Sequence, residues 1–151
     1  MQKNDYQRKR ARALPEYISI ISPNNYARVK IEDIETVEQD GRKIYLNTTD
    51  KKYMFYGTIN TLAEHLAERA FFRPLKSIII NLDHVREING YSVIFSSGST
   101  VVLGKNAMQE TKRAFKRYLK RYPPYTVWEP MLTEASAVSE EIVVPEDRKF
   151  P

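Results

Sequence analysis

Two dipeptides, Asp40-Gly41 and Asn89-Gly90, constrain what this chain can fold into more than anything else in it. Each joins two short runs rich in β-branched and aromatic residues, 34–38 with 44–48 and 85–89 with 92–95. Glycine accepts a positive φ without steric cost, so Asp-Gly or Asn-Gly at such a junction turns the chain back as a tight hairpin. Two hairpins of this kind commit the chain to antiparallel sheet.

The flanking segments extend the pattern. A strand is expected from Tyr17, a turn at Ser22-Pro23-Asn24-Asn25 and a second strand at 26–30; Thr49-Asp50-Lys51 turns the chain into a further strand at 52–56. The period then changes: Ile59, Leu62, Ala63 and Leu66 share one helical face, and Thr61 with Glu64 three residues on has the spacing of a capping box. Next comes FFRPLKSIIINLDHVREI, residues 71–88, in which Ile78, Ile79 and Ile80 read as a buried strand at 77–81. Arg73, Lys76 and Ser77 lie just ahead of it, at the rim of the sheet. Ser96-Ser97-Gly98-Ser99 marks another turn, residues 100–103 close the strand series, and Met108, Thr111, Phe115 and Leu119 then space a helix from Lys105 that ends before Pro123-Pro124. The fold class expected is mostly β: small stacked antiparallel sheets with one short internal helix and a basic C-terminal helix.

Charge divides the chain. Residues 1–121 hold 22 basic and 13 acidic side chains, a net +9, whereas residues 122–151 hold 2 and 6, a net −4. Three segments follow: a basic arm at 1–16 carrying Arg8, Lys9, Arg10 and Arg12, a domain at 17–121, and an acidic, partly apolar extension at 122–151 with Trp128 and Ile142-Val143-Val144. A body so basic attracts polyanions through long-range attraction and counterion release. The last helix sharpens that reading, because Lys105, Lys112, Arg113, Lys116, Arg117, Lys120 and Arg121 oppose only Glu110. Such a strip either lies along phosphates or is the solvated face of an amphipathic helix. Position favours phosphates, since Lys105 and Asn106 open the helix, where backbone N–H groups and the dipole attract anions.

Chemistry of other kinds finds little to work with. Cysteine is absent, which removes disulfides, thiolate nucleophiles and cysteine metal clusters and suits a reducing compartment such as the cytoplasm. His65 and His84 have no partner at a recognisable metal spacing, the serines around Gly98 form no nucleophile elbow, and glycine-rich phosphate loops are missing. No catalytic residue, metal or cofactor is therefore expected. No apolar run approaches the roughly 18 residues that span a bilayer, so membrane insertion is not expected either. The ten tyrosines suit half-buried positions in alternating strands better than base stacking.

In order and spacing, these pieces resemble the LytTR DNA-binding domain, a family found in many bacterial response regulators and in some stand-alone transcription factors. The resemblance runs from about residue 26 to about residue 120: IEDIETVE (31–38), the strand pair with its short turn, YGTINTLAEHL (56–66), FFRPLKSIIINLDHVREI and GKNAMQETKRAF (104–115). It implies a β-fold that reads double-stranded DNA through loops and a helix start. Carried over position by position, it implies base reading by Arg42 after the Asp40-Gly41 turn, with Lys43 on the backbone; by Lys76, with Arg73 and Ser77 as phosphate partners; and by Lys105, followed by Asn106. Lys112 would hold a further phosphate. The family commonly has histidine and arginine before the serine, and serine-arginine where this chain has Gly104-Lys105. An ammonium is a point donor without the guanidinium fork, so lysine trades base discrimination for general affinity.

The expectation is thus a sequence-specific DNA-binding transcription regulator. Only about 25 residues precede the resemblance, so no receiver domain is expected, and control would come from abundance, self-association or a regulatory protein partner. A second copy on repeated sites is the other implied partner. The competing expectation is a protein-interaction module that keeps the fold and binds a partner through its sheet edge and C-terminal extension.

Overall fold

The computed structural model describes residues 16–67 and 70–121, together with Val127 and Glu129. The basic arm up to Pro15, and Trp128 and residues 142–144 of the extension, lie outside the described residues. All elements below belong to the first of two compact units, which ends at Arg121.

Among the described residues, ten strands form three antiparallel sheets. β1 (Tyr17–Ser22) and β2 (Asn25–Lys30) make a two-stranded ribbon. β3 (Ile34–Asp40), β4 (Lys43–Thr48), β5 (Lys52–Tyr56), β6 (Phe71–Leu75) and β7 (Ile78–Asn81) form a five-stranded sheet in the order β5-β4-β3-β7-β6. β8 (Val85–Asn89), β9 (Ser92–Phe95) and β10 (Thr100–Val102) form a third, in the order β10-β9-β8. Two helices, α1 (Ile59–Leu66) and α2 (Lys105–Arg121), complete the unit. Gly41 and Gly90 have φ of 64° and 63°, the left-handed conformation for which the two hairpin dipeptides were read.

Two apolar cores lie on opposite sides of the five-stranded sheet's middle. The first gathers Ile20, Val29, Val37, Leu46 and Ile79 under Leu62 and Leu66 of α1; the second gathers Ile80, Val93, Phe95 and Leu103 under Met108 and Ala114 of α2. β7 serves both, because successive strand residues point to opposite faces. That is why its sequence is a continuous apolar run rather than an alternation. Asn81 ends the run: it is buried, and its amide donates to the Ile34 carbonyl at 2.8 Å while its Oδ1 accepts the Asp83 N–H at 3.0 Å.

A unit recurs along the chain. A 3-10 turn at Ile31–Asp33 leads into β3, whose register shifts between Ile34 and Thr36 before the Asp40-Gly41 hairpin. A second 3-10 turn at Leu82–His84 leads into β8, whose register shifts between Val85 and Glu87 before the Asn89-Gly90 hairpin. The copies are stitched together at their bases. A ring nitrogen of His84, Nε2, lies 2.6 Å from the Glu32 carbonyl, and the buried Glu35 carboxylate accepts from the Ser97 N–H and hydroxyl at 3.0 and 2.7 Å. A carboxylate removed from water needs such donors.

One local expectation is corrected, and two features lie beyond what the sequence reading named. Residues 71–75, ahead of β7, form an edge strand of their own; Pro74, which counts against a strand inside a sheet, is tolerated at the edge. The Thr61–Glu64 pair caps nothing, since α1 begins earlier with Thr58 as its N-cap, and the Ile59 N–H is satisfied from outside by Gln39 Oε1 at 2.8 Å. The connections 31–33 and 82–84 are 3-10 turns, whose short i to i+3 pattern leaves no helical period to read.

Candidate nucleic-acid interface

The antiparallel register of the five-stranded sheet decides which loops meet. β3 pairs with β7 as far as Glu38 opposite Ile78, and the Gln39 N–H donates to the Ser77 carbonyl at 2.9 Å, which brings the β3–β4 turn beside the β6–β7 turn. On the other side Lys43 pairs with Tyr56, and the Gly57 N–H donates to the Arg42 carbonyl at 3.0 Å. Arg42, Lys43, Lys76 and Ser77 therefore stand at one end of one sheet, all exposed. From β4 to β7 is two strand steps, about 10 Å. That span fits inside a B-DNA major groove, which is about 12 Å wide.

Arg73 belongs to the same end but is held differently. Its guanidinium folds over the β6–β7 turn, with Nε and Nη2 donating to the Lys76 carbonyl at 3.1 and 2.5 Å and Nη2 donating to Asn60 Oδ1 at 2.7 Å. By contrast, Arg42, Lys43 and Lys76 have no ion-pair partner among the described residues. A shallow groove lined by Ile59, Asn60, Arg73, Pro74, Leu75 and Lys76 lies beside the turn.

Lys105, Asn106 and Lys112 form a second group, on α2. The chain entering this helix is anchored where the Leu103 N–H donates to the Tyr91 carbonyl at 2.9 Å, beside the β8–β9 turn, and the helix packs most extensively against β6. Met108 N–H donates to the Gly104 carbonyl at 2.8 Å, so Gly104 stands at the helix start and has no side chain with which to cap it. Lys105 and Asn106 are exposed there, and Lys112 follows Lys105 by seven residues on the same side of the helix. Further along, Arg113 is paired with Glu110 at 2.5 Å, and the Tyr118 hydroxyl donates to Asp83 Oδ1 at 2.5 Å, tying α2 to the second 3-10 turn.

Sequence reading missed Gln39, Asn60 and Tyr118. Each acts by bonding to a residue distant in the chain, and a polar residue in a strand or helix carries no spacing signal for that. Among the described residues no group of histidine, cysteine or carboxylate side chains could hold a metal, and no helix is long and apolar enough to cross a membrane.

Comparison with known proteins bears on the family and the fold. The model of the LytTr DNA-binding domain matches residues 24–116. Sensory transduction protein LytT of Bacillus anthracis is 29% identical over 93 residues, covering 58% of this chain and 38% of that protein. The protein of the same name from Enterococcus faecalis is 28% identical over 102 residues, covering 64% and 42%. The chain thus spans about two fifths of the length of the curated relatives it matches. A solved LytTr DNA-binding domain from Bacillus cereus superposes with a TM-score of 0.57 at 14% identity, covering 66% of this chain and 96% of that one, a likeness of fold.

Proposed function

The chain belongs to the LytTr DNA-binding domain family, and on that premise we propose that it is a sequence-specific regulator of transcription acting on double-stranded DNA. It reads the major groove through the two turns at the end of the five-stranded sheet and through the start of α2. The observation that carries this reading is the gathering of Arg42, Lys43, Lys76 and Ser77 at one sheet end, exposed and, for the three cations, without ion-pair partners among the described residues.

Roles divide by chemistry. Arg42 offers the planar fork that matches guanine O6 and N7. Lys76 and Lys105 each place a single ammonium at a base edge. Lys43, Ser77, Asn106 and Lys112 hold the phosphate backbone and set register, contacts that position without specifying sequence. One module of this size spans few base pairs, so two copies on repeated sites gain affinity from tandem engagement.

The test is enrichment of a randomised duplex pool on the full chain, followed by titration of the enriched duplex and an unselected one at two salt concentrations. A recurring motif with a steep salt dependence is expected; a chain that enriches no sequence overturns the proposal. The second reading, a protein-interaction module, is favoured by β5, an edge strand with Met54 and Tyr56 turned to solvent. It would be preferred if Arg42→Ala and Lys76→Ala left DNA affinity unchanged.

A further inference from the structure

The two turns at the sheet end are both fastened to a third element, the first residues of α1. Gln39 has both ends of its side-chain amide engaged: Nε2 donates to the Gly41 carbonyl at 2.7 Å, closing the β3–β4 turn from within, and Oε1 accepts the Ile59 N–H at 2.8 Å. Its backbone N–H donates to the Ser77 carbonyl, so one residue touches both turns and the helix. Arg73 does the equivalent for the β6–β7 turn, gripping the Lys76 carbonyl with Nε and Nη2 and reaching Asn60 Oδ1 with Nη2. The two anchors, Ile59 and Asn60, are consecutive residues of one helix start.

This arrangement gives Arg73 a part different from the phosphate contact that the family resemblance implied. A guanidinium has five N–H donors in a rigid fork, and here three are aimed at protein oxygens. Its grip fixes the peptide plane from which the Lys76 side chain leaves. Hydrogen-bond reading of a base edge tolerates displacements of only about 0.5 Å, and a turn is less exact than the strand that carries it unless something else holds it.

We infer that Gln39 and Arg73 are positioning residues: they clamp the β3–β4 and β6–β7 turns to the start of α1, fix the spacing between Arg42 and Lys76, and touch no DNA themselves. The inference rests on the proposed function and deepens it.

The experiment uses the duplex enriched by the wild-type chain and an unselected duplex. Arg73→Lys keeps the charge and loses the fork; Gln39→Met keeps length and neutrality and loses the amide. In both, preference for the enriched duplex is expected to fall roughly five- to a hundredfold, the discrimination of about one good base contact. The slope of log affinity against log salt is expected to stay at its wild-type value in these variants and in Arg73→Ala. A phosphate-bound Arg73 would instead make the Arg73→Ala slope shallower by about 0.9 and weaken both duplexes alike. That result, or an unchanged preference in Arg73→Lys, overturns the inference while leaving the proposed function standing. Thermal melts accompany each variant, and if Gln39→Met does not fold, the Arg73 pair decides alone. A wild-type chain that enriches no sequence overturns the proposed function and the inference together, before any variant is made.

Discussion

Replacing Lys112 by alanine removes one cation from a surface whose charge can be counted. Arg42, Lys43, Lys76, Lys105 and Lys112 are exposed and have no ion-pair partner among the described residues. Arg113 is paired with Glu110, Arg73 is bonded to Lys76 and Asn60, and Lys116, Lys120 and Arg121 are engaged in other interactions. Arg117 lies about a third of a turn from the line through Lys105 and Lys112. Each phosphate neutralised on B-DNA contributes about −0.9 to the slope of log affinity against log salt. Without Lys112 the slope becomes shallower by about 0.9, and affinity at physiological salt falls about fivefold. Because a phosphate carries no sequence, the enriched and unselected duplexes lose the same factor and their ratio stays put. Fluorescence anisotropy at four or so salt concentrations measures both quantities. An unchanged slope would refute the placement of this face of α2 along the backbone, and a changed ratio would make Lys112 a base reader.

Arg42→Ala is expected to do the reverse, cutting the enriched-to-unselected ratio by the roughly 1–3 kcal/mol of a bidentate base contact, as read by competition titration. Ile80→Ala removes a side chain with 0% exposure from the second core and is expected to cost about 2–5 kcal/mol in urea unfolding. Asn81→Leu leaves the buried Ile34 carbonyl and the Asp83 N–H without their partner. A loss of about 1–3 kcal/mol for each group left unsatisfied would appear as a lower urea midpoint.

Much of the fold was legible because its determinants are local. Asp40-Gly41 and Asn89-Gly90 announce their turns by requiring a positive φ, and the change from a period of two to one near four announces both helices. What stayed hidden was set by partners far along the chain. β6 is a strand only because β7 offers it an edge, and nothing within FFRPL signals that. The start of α1 is decided by Gln39, twenty residues earlier in sequence, not by the Thr61–Glu64 spacing inside the helix. The cations of the candidate site could be picked out from charge and family resemblance, yet sequence cannot tell an arginine that reaches outward from one folded back on its own turn.

The recurrence of one unit explains how so small a body presents two groups of cations. A 3-10 turn, a strand with a register shift near its start and a glycine hairpin occur at Ile31–Asp33 with β3 and β4, and again at Leu82–His84 with β8 and β9. The first hairpin bears Arg42 directly after its glycine. The second bears Tyr91 at the equivalent place, and the Tyr91 carbonyl holds Leu103, two residues before Lys105 opens α2. One tip therefore supplies a cation itself, and the other fixes the entry of the helix that does. Between the copies runs β7, buried against both cores, with the Lys76–Ser77 turn at its start. A strand packed on both faces has little freedom to move, because dense interiors do not deform gradually. The Lys76–Ser77 turn leaves from that fixed base, and the bonds from Arg73 to the Lys76 carbonyl and from the Gln39 N–H to the Ser77 carbonyl hold the turn itself.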